Sequence, residues 1–118
     1  MRLFLVSLML VAVGCSDVRV VKDAAYDPDL MGVPAYPGAR VKGAIVTESE
    51  GNRVVTYVLI TRSPYDSVVS FYLREAGGTD SVAAGQIYTI RRGTELLIQI
   101  KEEGDHREIN ITRAAPTR

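Results

Sequence analysis

The run Arg53-Val54-Val55-Thr56-Tyr57-Val58-Leu59-Ile60-Thr61, followed closely by Ser63-Pro64-Tyr65-Asp66, decides how this chain folds. Neighbouring side chains of a strand point to opposite faces. Here Val54, Val58 and Ile60 fill one alternating set, and Val55, Tyr57 and Leu59 fill the other. A strand apolar on both sides belongs near the middle of a sheet or under cover on both faces. Directly after it, Ser63 offers a helix N-cap, Pro64 suits the first helical position and Asp66 complements the positive end of the helix dipole. Tyr65, Val68, Val69, Tyr72 and Ala76 then fall on one helical face. Four sizeable side chains on that stripe bury about 6–12 kcal/mol gross. Gly77-Gly78 ends the helix, since glycine takes positive φ cheaply. Phe71 lies off the stripe and is a candidate contact residue.

Working outward, Val41 to Ser49 reads as the partner strand, with Glu50-Gly51-Asn52 supplying the hairpin turn. Tyr36-Pro37-Gly38-Ala39 predicts a type II turn that launches it. Beyond the helix, residues 79–85 read as a loose segment. Three strands follow: Gln86 to Arg91, Thr94 to Lys101 and His106 to Arg113. Leu96, Ile98 and Ile100 share one face of the second, and Ile109 and Ile111 point inward from the third. These last strands are half-buried, so one side of the sheet should meet water. The expected fold class is α+β: an antiparallel sheet of about five strands with one helix packed on one face, in the order β-β-α-β-β-β. The domain is expected over residues 36–113, with 114–118 a flexible tail.

Residues 15–35 read as a tether, in which Pro28, Gly32 and Pro34 interrupt regular structure among interspersed charges. A short edge strand over Val18, Val20 and Val21 is the alternative. Asp27-Pro28-Asp29 lacks the glycine-bearing loop of alternating acids that calcium sites use.

The chain starts with Met1-Arg2 and an apolar run, Leu3 to Val13. Eleven helical residues span only about 16 Å, against a bilayer core of roughly 30 Å. A positive start, a short apolar middle and small residues after it form the anatomy of an export signal. A buried N-terminal helix with a free core cysteine is the alternative. Ala12-Val13-Gly14-Cys15 resembles the bacterial lipobox, departing from its commonest form in having Ala12 where leucine is usual. That resemblance implies a signal peptide over residues 1–14, with Ala12, Val13 and Gly14 read by the processing machinery and Cys15 as the lipid-attachment residue. It also implies anchoring to the membrane through acyl chains on Cys15. Two or more such chains hold a protein stably where one does not. Ser16, rather than aspartate, follows the cysteine; in Gram-negative relatives that favours the outer membrane, facing the periplasm.

A second resemblance lies in Val33-Pro34-Ala35-Tyr36-Pro37-Gly38-Ala39 followed by Ser63-Pro64 and Val68-Val69-Ser70-Phe71-Tyr72. It is similar to a recurrent pattern in small exported bacterial lipoproteins. That resemblance implies a fold and no activity, and this chain lacks the tryptophan that relatives often carry after the helix.

Composition narrows the function further. Fourteen Lys and Arg balance fourteen Asp and Glu, which leaves no basic excess for nucleic acid. The single cysteine rules out an internal disulfide. His106 is the single histidine and has no second ligand in the pattern of a zinc site. Ser49, Ser63, Ser67 and Ser70 stand outside any nucleophile elbow, and Glu102-Glu103 point to opposite faces of a strand. No cofactor is expected. Arg91-Arg92, with Arg40 or Arg62, suggests an anion-binding corner, and the six tyrosines suggest a contact platform. The expected function is therefore a non-catalytic envelope module that docks to an envelope protein or polymer, Phe71, Arg91 and Arg92 being the candidate surface. The alternative is an envelope-polymer hydrolase or inhibitor acting through His106 or an unplaced acid.

Overall fold

The computed structural model describes residues 16–22, 24–77 and 80–116. Seven antiparallel strands form one sheet: β1 (Ser16–Val21), β2 (Arg40–Ser49), β3 (Asn52–Thr61), β4 (Asp80–Ala84), β5 (Ile87–Arg92), β6 (Leu96–Glu103) and β7 (His106–Pro116). Two short helices accompany them, α1 (Pro28–Met31) and α2 (Tyr65–Ala76). Across the sheet the strands run β1-β2-β3-β7-β6-β5-β4. Each half is a meander, and the halves join where β3 pairs with β7 over ten residue pairs, Asn52↔Pro116 to Thr61↔Arg107. Helix α2 carries the chain from β3 to the far edge and packs on β5 and β6.

The expected α+β class, with about five strands and one helix, is corrected: the described residues form mostly one seven-stranded antiparallel sheet with two short helices. Two strands and a helix arise where loops were expected. β1 occupies the start of the expected tether and pairs with β2 from Ser16↔Ser49 to Val21↔Ala44. β4 occupies the expected loose segment and pairs with β5 from Asp80↔Arg91 to Ala84↔Ile87. Both are edge strands held by backbone pairing; β1 is the short edge strand over Val18, Val20 and Val21 that stood as the alternative to a tether, whereas β4 has little apolar pattern to reveal it. The sheet thus runs past the expected domain limits of 36–113. At the far end, residues 114–116 pair with β3 instead of forming a tail.

Local chemistry explains the elements. Tyr36 to Ala39 forms the expected turn: the Ala39 N–H donates to the Tyr36 carbonyl at 2.9 Å, and Gly38 sits at φ 83°. α2 starts one residue later than the Ser63 cap implies. Pro64, at φ −58° and ψ 146°, is the N-cap without any side-chain cap bond, and its carbonyl accepts from Ser67 and Val68. Proline fixes φ but leaves ψ free, so Pro64 enters the helix from an extended backbone. Val68, Val69, Tyr72 and Ala76 are buried, as the stripe predicts. α1 is a single turn in which the Asp27 carboxylate accepts from the Asp29 and Leu30 amides at 3.1 and 3.2 Å. Asp27 is thus a cap.

One face of the sheet carries the core: Val55, Tyr57, Leu59, Ile90, Leu96, Ile98, Ile100, Ile109 and Ile111 are buried. α2 covers part of it. Met31 and Val33, 0% and 2% exposed, cover much of the rest. The segment expected to be a tether is therefore a working part of the core.

Candidate functional site

Alternation sorts the candidate residues into two groups. Arg92 pairs in register with buried Leu96, on the covered face, whereas Arg91 pairs with Leu97 on the other. They cannot form one corner. The Arg92 guanidinium donates to the carbonyls of Ala76 and Gly32, at 3.3 and 3.4 Å, and lies 3.8 Å from the Glu95 carboxylate. Arg113 donates to the Met31 carbonyl at 3.2 Å. These are the last carbonyls of α2 and α1, where the helix dipole is negative and a cation is favoured. Arg92 thus caps the covering layer. Phe71 is half-buried, packed edge-on to Tyr36 and Tyr72 with ring centroids 5.2 and 4.9 Å away, while the Arg74 guanidinium lies 5.5 Å from its ring centre. Arg62 faces Asp105 at 3.8 Å on the surface.

Tyrosines do related work. Tyr26 donates to the Val33 carbonyl at 2.6 Å, Tyr57 to Ala25 at 3.0 Å and Tyr72 to Pro34 at 3.1 Å. Burial pushes the Tyr26 and Tyr72 hydroxyls well above the ordinary tyrosine range, because the charged phenolate cannot be solvated there. These tyrosines form a clamp on residues 24–36.

What remains is the opposite face. No described element packs on it. Register places Val18 and Val20 of β1, Ile45 and Thr47 of β2, and Val54, Thr56, Val58 and Ile60 of β3 along it, followed by β7, β6, β5 and β4. Val18, Val20, Ile45, Val82 and Ile87 are exposed. β3 lies inside the sheet, as its doubly apolar pattern predicts, and its second apolar set floors a strip that no described element covers. At its β1–β2 end a shallow groove of about 390 Å³ is lined by Val20, Lys22, Lys42, Ile45, Val58 and Glu108. Glu108 sits between two lysines, 3.8 Å from Lys42 and 3.9 Å from Lys101. The Asn110 side-chain carbonyl is buried here without a partner among the described residues. At the other end, β4 is exposed at all five positions, and Arg91 stands opposite Asp80.

The remaining candidates lie around the β6–β7 turn: His106, opposite Glu103, alternates with Glu108 on the open side, whereas Glu102 and Arg107 fall in the covered set. His106 hydrogen-bonds the Asp105 carboxylate at 3.1 Å in an exposed turn. That bond, with Arg62, holds the Asp105 carboxyl below the usual range. Glu102 pairs with Arg107, whose guanidinium also donates to the Ser63 carbonyl at 3.1 Å. Among the described residues, no group of three or more His, Cys, Asp or Glu could hold a metal ion. Cys15, with Ala12, Val13 and Gly14, lies outside the described residues, as do Gly78 and Thr79.

No protein-family model, curated protein or solved structure matches this chain. What the open face can do rests on its own residues.

Proposed function

We propose that this chain is a lipid-anchored protein of the bacterial cell envelope, a non-catalytic binding or accessory module. Cys15 carries the acyl chains after removal of residues 1–14. In a Gram-negative cell the domain faces the periplasm from the outer membrane. The observation that supports a docking role best is the sheet face that no described element covers, apolar at β1–β3 and ending in the fully exposed strand β4. An edge strand offers a row of unpaired backbone donors and acceptors to a partner. Val82, 62% exposed, and Arg91 flank that edge and give a partner one apolar and one cationic contact. An envelope protein or polymer binds there.

Two measurements test this reading. Growth with a fatty-acid analogue labels the wild type and leaves Cys15→Ser unlabelled; equal labelling of both removes the anchor. Gentle crosslinking in envelope extracts captures a partner that Val82→Asp and Arg91→Ala lose; a capture pattern unchanged in both variants contradicts docking at β4.

A further inference from the structure

The end of the described chain bears on how the anchored protein sits. If Cys15 carries the lipid, no leash follows it, because Ser16 already pairs with Ser49 in β1. A strand advances about 3.3 Å per residue, so Val18 lies within about 10 Å of the acylated residue and Val20 within about 17 Å. Both are highly exposed, at 60% and 67%, and Ile45 beside them is 40% exposed. Val20 and Ile45 are register partners on the open face. At the far end of the same strand, Lys22 and Lys42 line the groove beyond Val20, and Lys101 is close by, sharing Glu108 with Lys42. Acyl chains at one end, apolar side chains between and lysines at the other all meet one plane.

We infer that the β1–β2 edge of the open face lies flat on the lipid bilayer surface, with Val18, Val20 and Ile45 in the headgroup–acyl boundary and Lys22 and Lys42 on lipid phosphates. This rests on the anchoring proposed above. The occupant is lipid because the anchor would hold this strip against the bilayer whether or not another partner is present. An amphipathic helix rests its apolar face about 5–10 Å into that boundary, and the edge formed by Val18, Val20 and Ile45 presents an apolar face of the same kind. A polar strip at the same place would need a linker to stand clear of the membrane. The opposite edge, β4, then projects away from the membrane, free for a partner.

The test uses the acylated protein in vesicles of phosphatidylethanolamine and phosphatidylglycerol. Cys15 is blocked by its lipid, so Val20→Cys, Ile45→Cys and Ser70→Cys each take one environment-sensitive fluorophore. Ser70 is exposed on α2, on the other side of the sheet. Nitroxide-labelled lipids should quench the label at 20 and at 45 several-fold more than the label at 70. Equal weak quenching at all three positions, in protein that still floats with the vesicles, overturns the flat placement and leaves the anchor standing. Crosslinking between copies through residue 20 without lipid quenching assigns the strip to a second copy and overturns it too. Protein that fails to float and shows an unmodified Cys15 by mass overturns the anchor and the placement together.

Discussion

The Tyr72 hydroxyl, in the middle of α2, donates a hydrogen bond to the Pro34 carbonyl 3.1 Å away. It joins the helix to a segment whose prolines and glycines read as a tether. Tyr72 is fully buried, so Tyr72→Phe keeps the ring and strands the carbonyl. Losing a hydrogen bond to this part-buried carbonyl costs about 0.5–1.5 kcal/mol. Urea unfolding should show that loss as a lower midpoint with an unchanged slope.

Gly32 combines two constraints. Its φ is 81°, where an added side chain is strained. A Cβ would also run into the guanidinium groups of Arg113 and Arg92. Gly32→Ala should therefore destabilise by more than the backbone term of about 1–2 kcal/mol. Thermal unfolding of Gly32→Ala beside Gly38→Ala separates the two effects, since Gly38 has a similar φ of 83° and open space around it.

At high pH the tyrosine clamp becomes a liability. In the unfolded chain Tyr26 and Tyr72 ionise near the ordinary value of 10.0; in the folded chain they hold their protons to higher pH. Above that value the folded state binds more protons than the unfolded one, so stability falls as pH rises. It is fully present below the unfolded value. Stability measured from pH 8 to 12 should be level at first and then decline. Tyr72→Phe should decline less steeply, and equal slopes would remove Tyr72 from the account.

The hairpin between β2 and β3 turns on Glu50 and Gly51, at φ 51° and 82°. Asparagine tolerates positive φ far better than glutamate, and Asn-Gly suits a two-residue hairpin turn. Glu50→Asn should stabilise by up to about 1 kcal/mol, read as a raised thermal midpoint.

Much of the centre was legible in sequence. The periodicity of residues 53–61, 65–76, 96–101 and 109–111 placed β3, α2, β6 and β7, and it picked the buried faces of α2, β6 and β7; β3, apolar in both sets, gave its central place and no choice of face. The rest had weaker signals. β4 is Asp80-Ser81-Val82-Ala83-Ala84, poor in strand-forming residues. α1 was present as a signature, with Asp27 as cap, Pro28 at the first position and Gly32 after the end, yet proline and glycine also break structure. A one-turn helix and a loop share those residues. Alternation alone separates Arg91 from Arg92, by the same rule that separates Glu102 from Glu103. The backbone carbonyls that receive the tyrosine and arginine bonds leave no trace in sequence, because any residue supplies one. The open strip was visible in the doubly apolar β3; what sequence could not show is that the described helices cover only one of its faces.

The central claim is that residues 16–35 belong to the folded unit. Burying Met31 and Val33 contributes about 1.5–3 kcal/mol each, and each tyrosine bond about 1 kcal/mol. Against a typical total of 5–15 kcal/mol, losing that segment is decisive. The direct measurement compares thermal unfolding of residues 16–116 with residues 36–116 by calorimetry. A cooperative transition in the longer chain, lost or lowered by many degrees in the shorter, is the predicted result. The same transition at the same temperature in both would show that the segment is a tether after all.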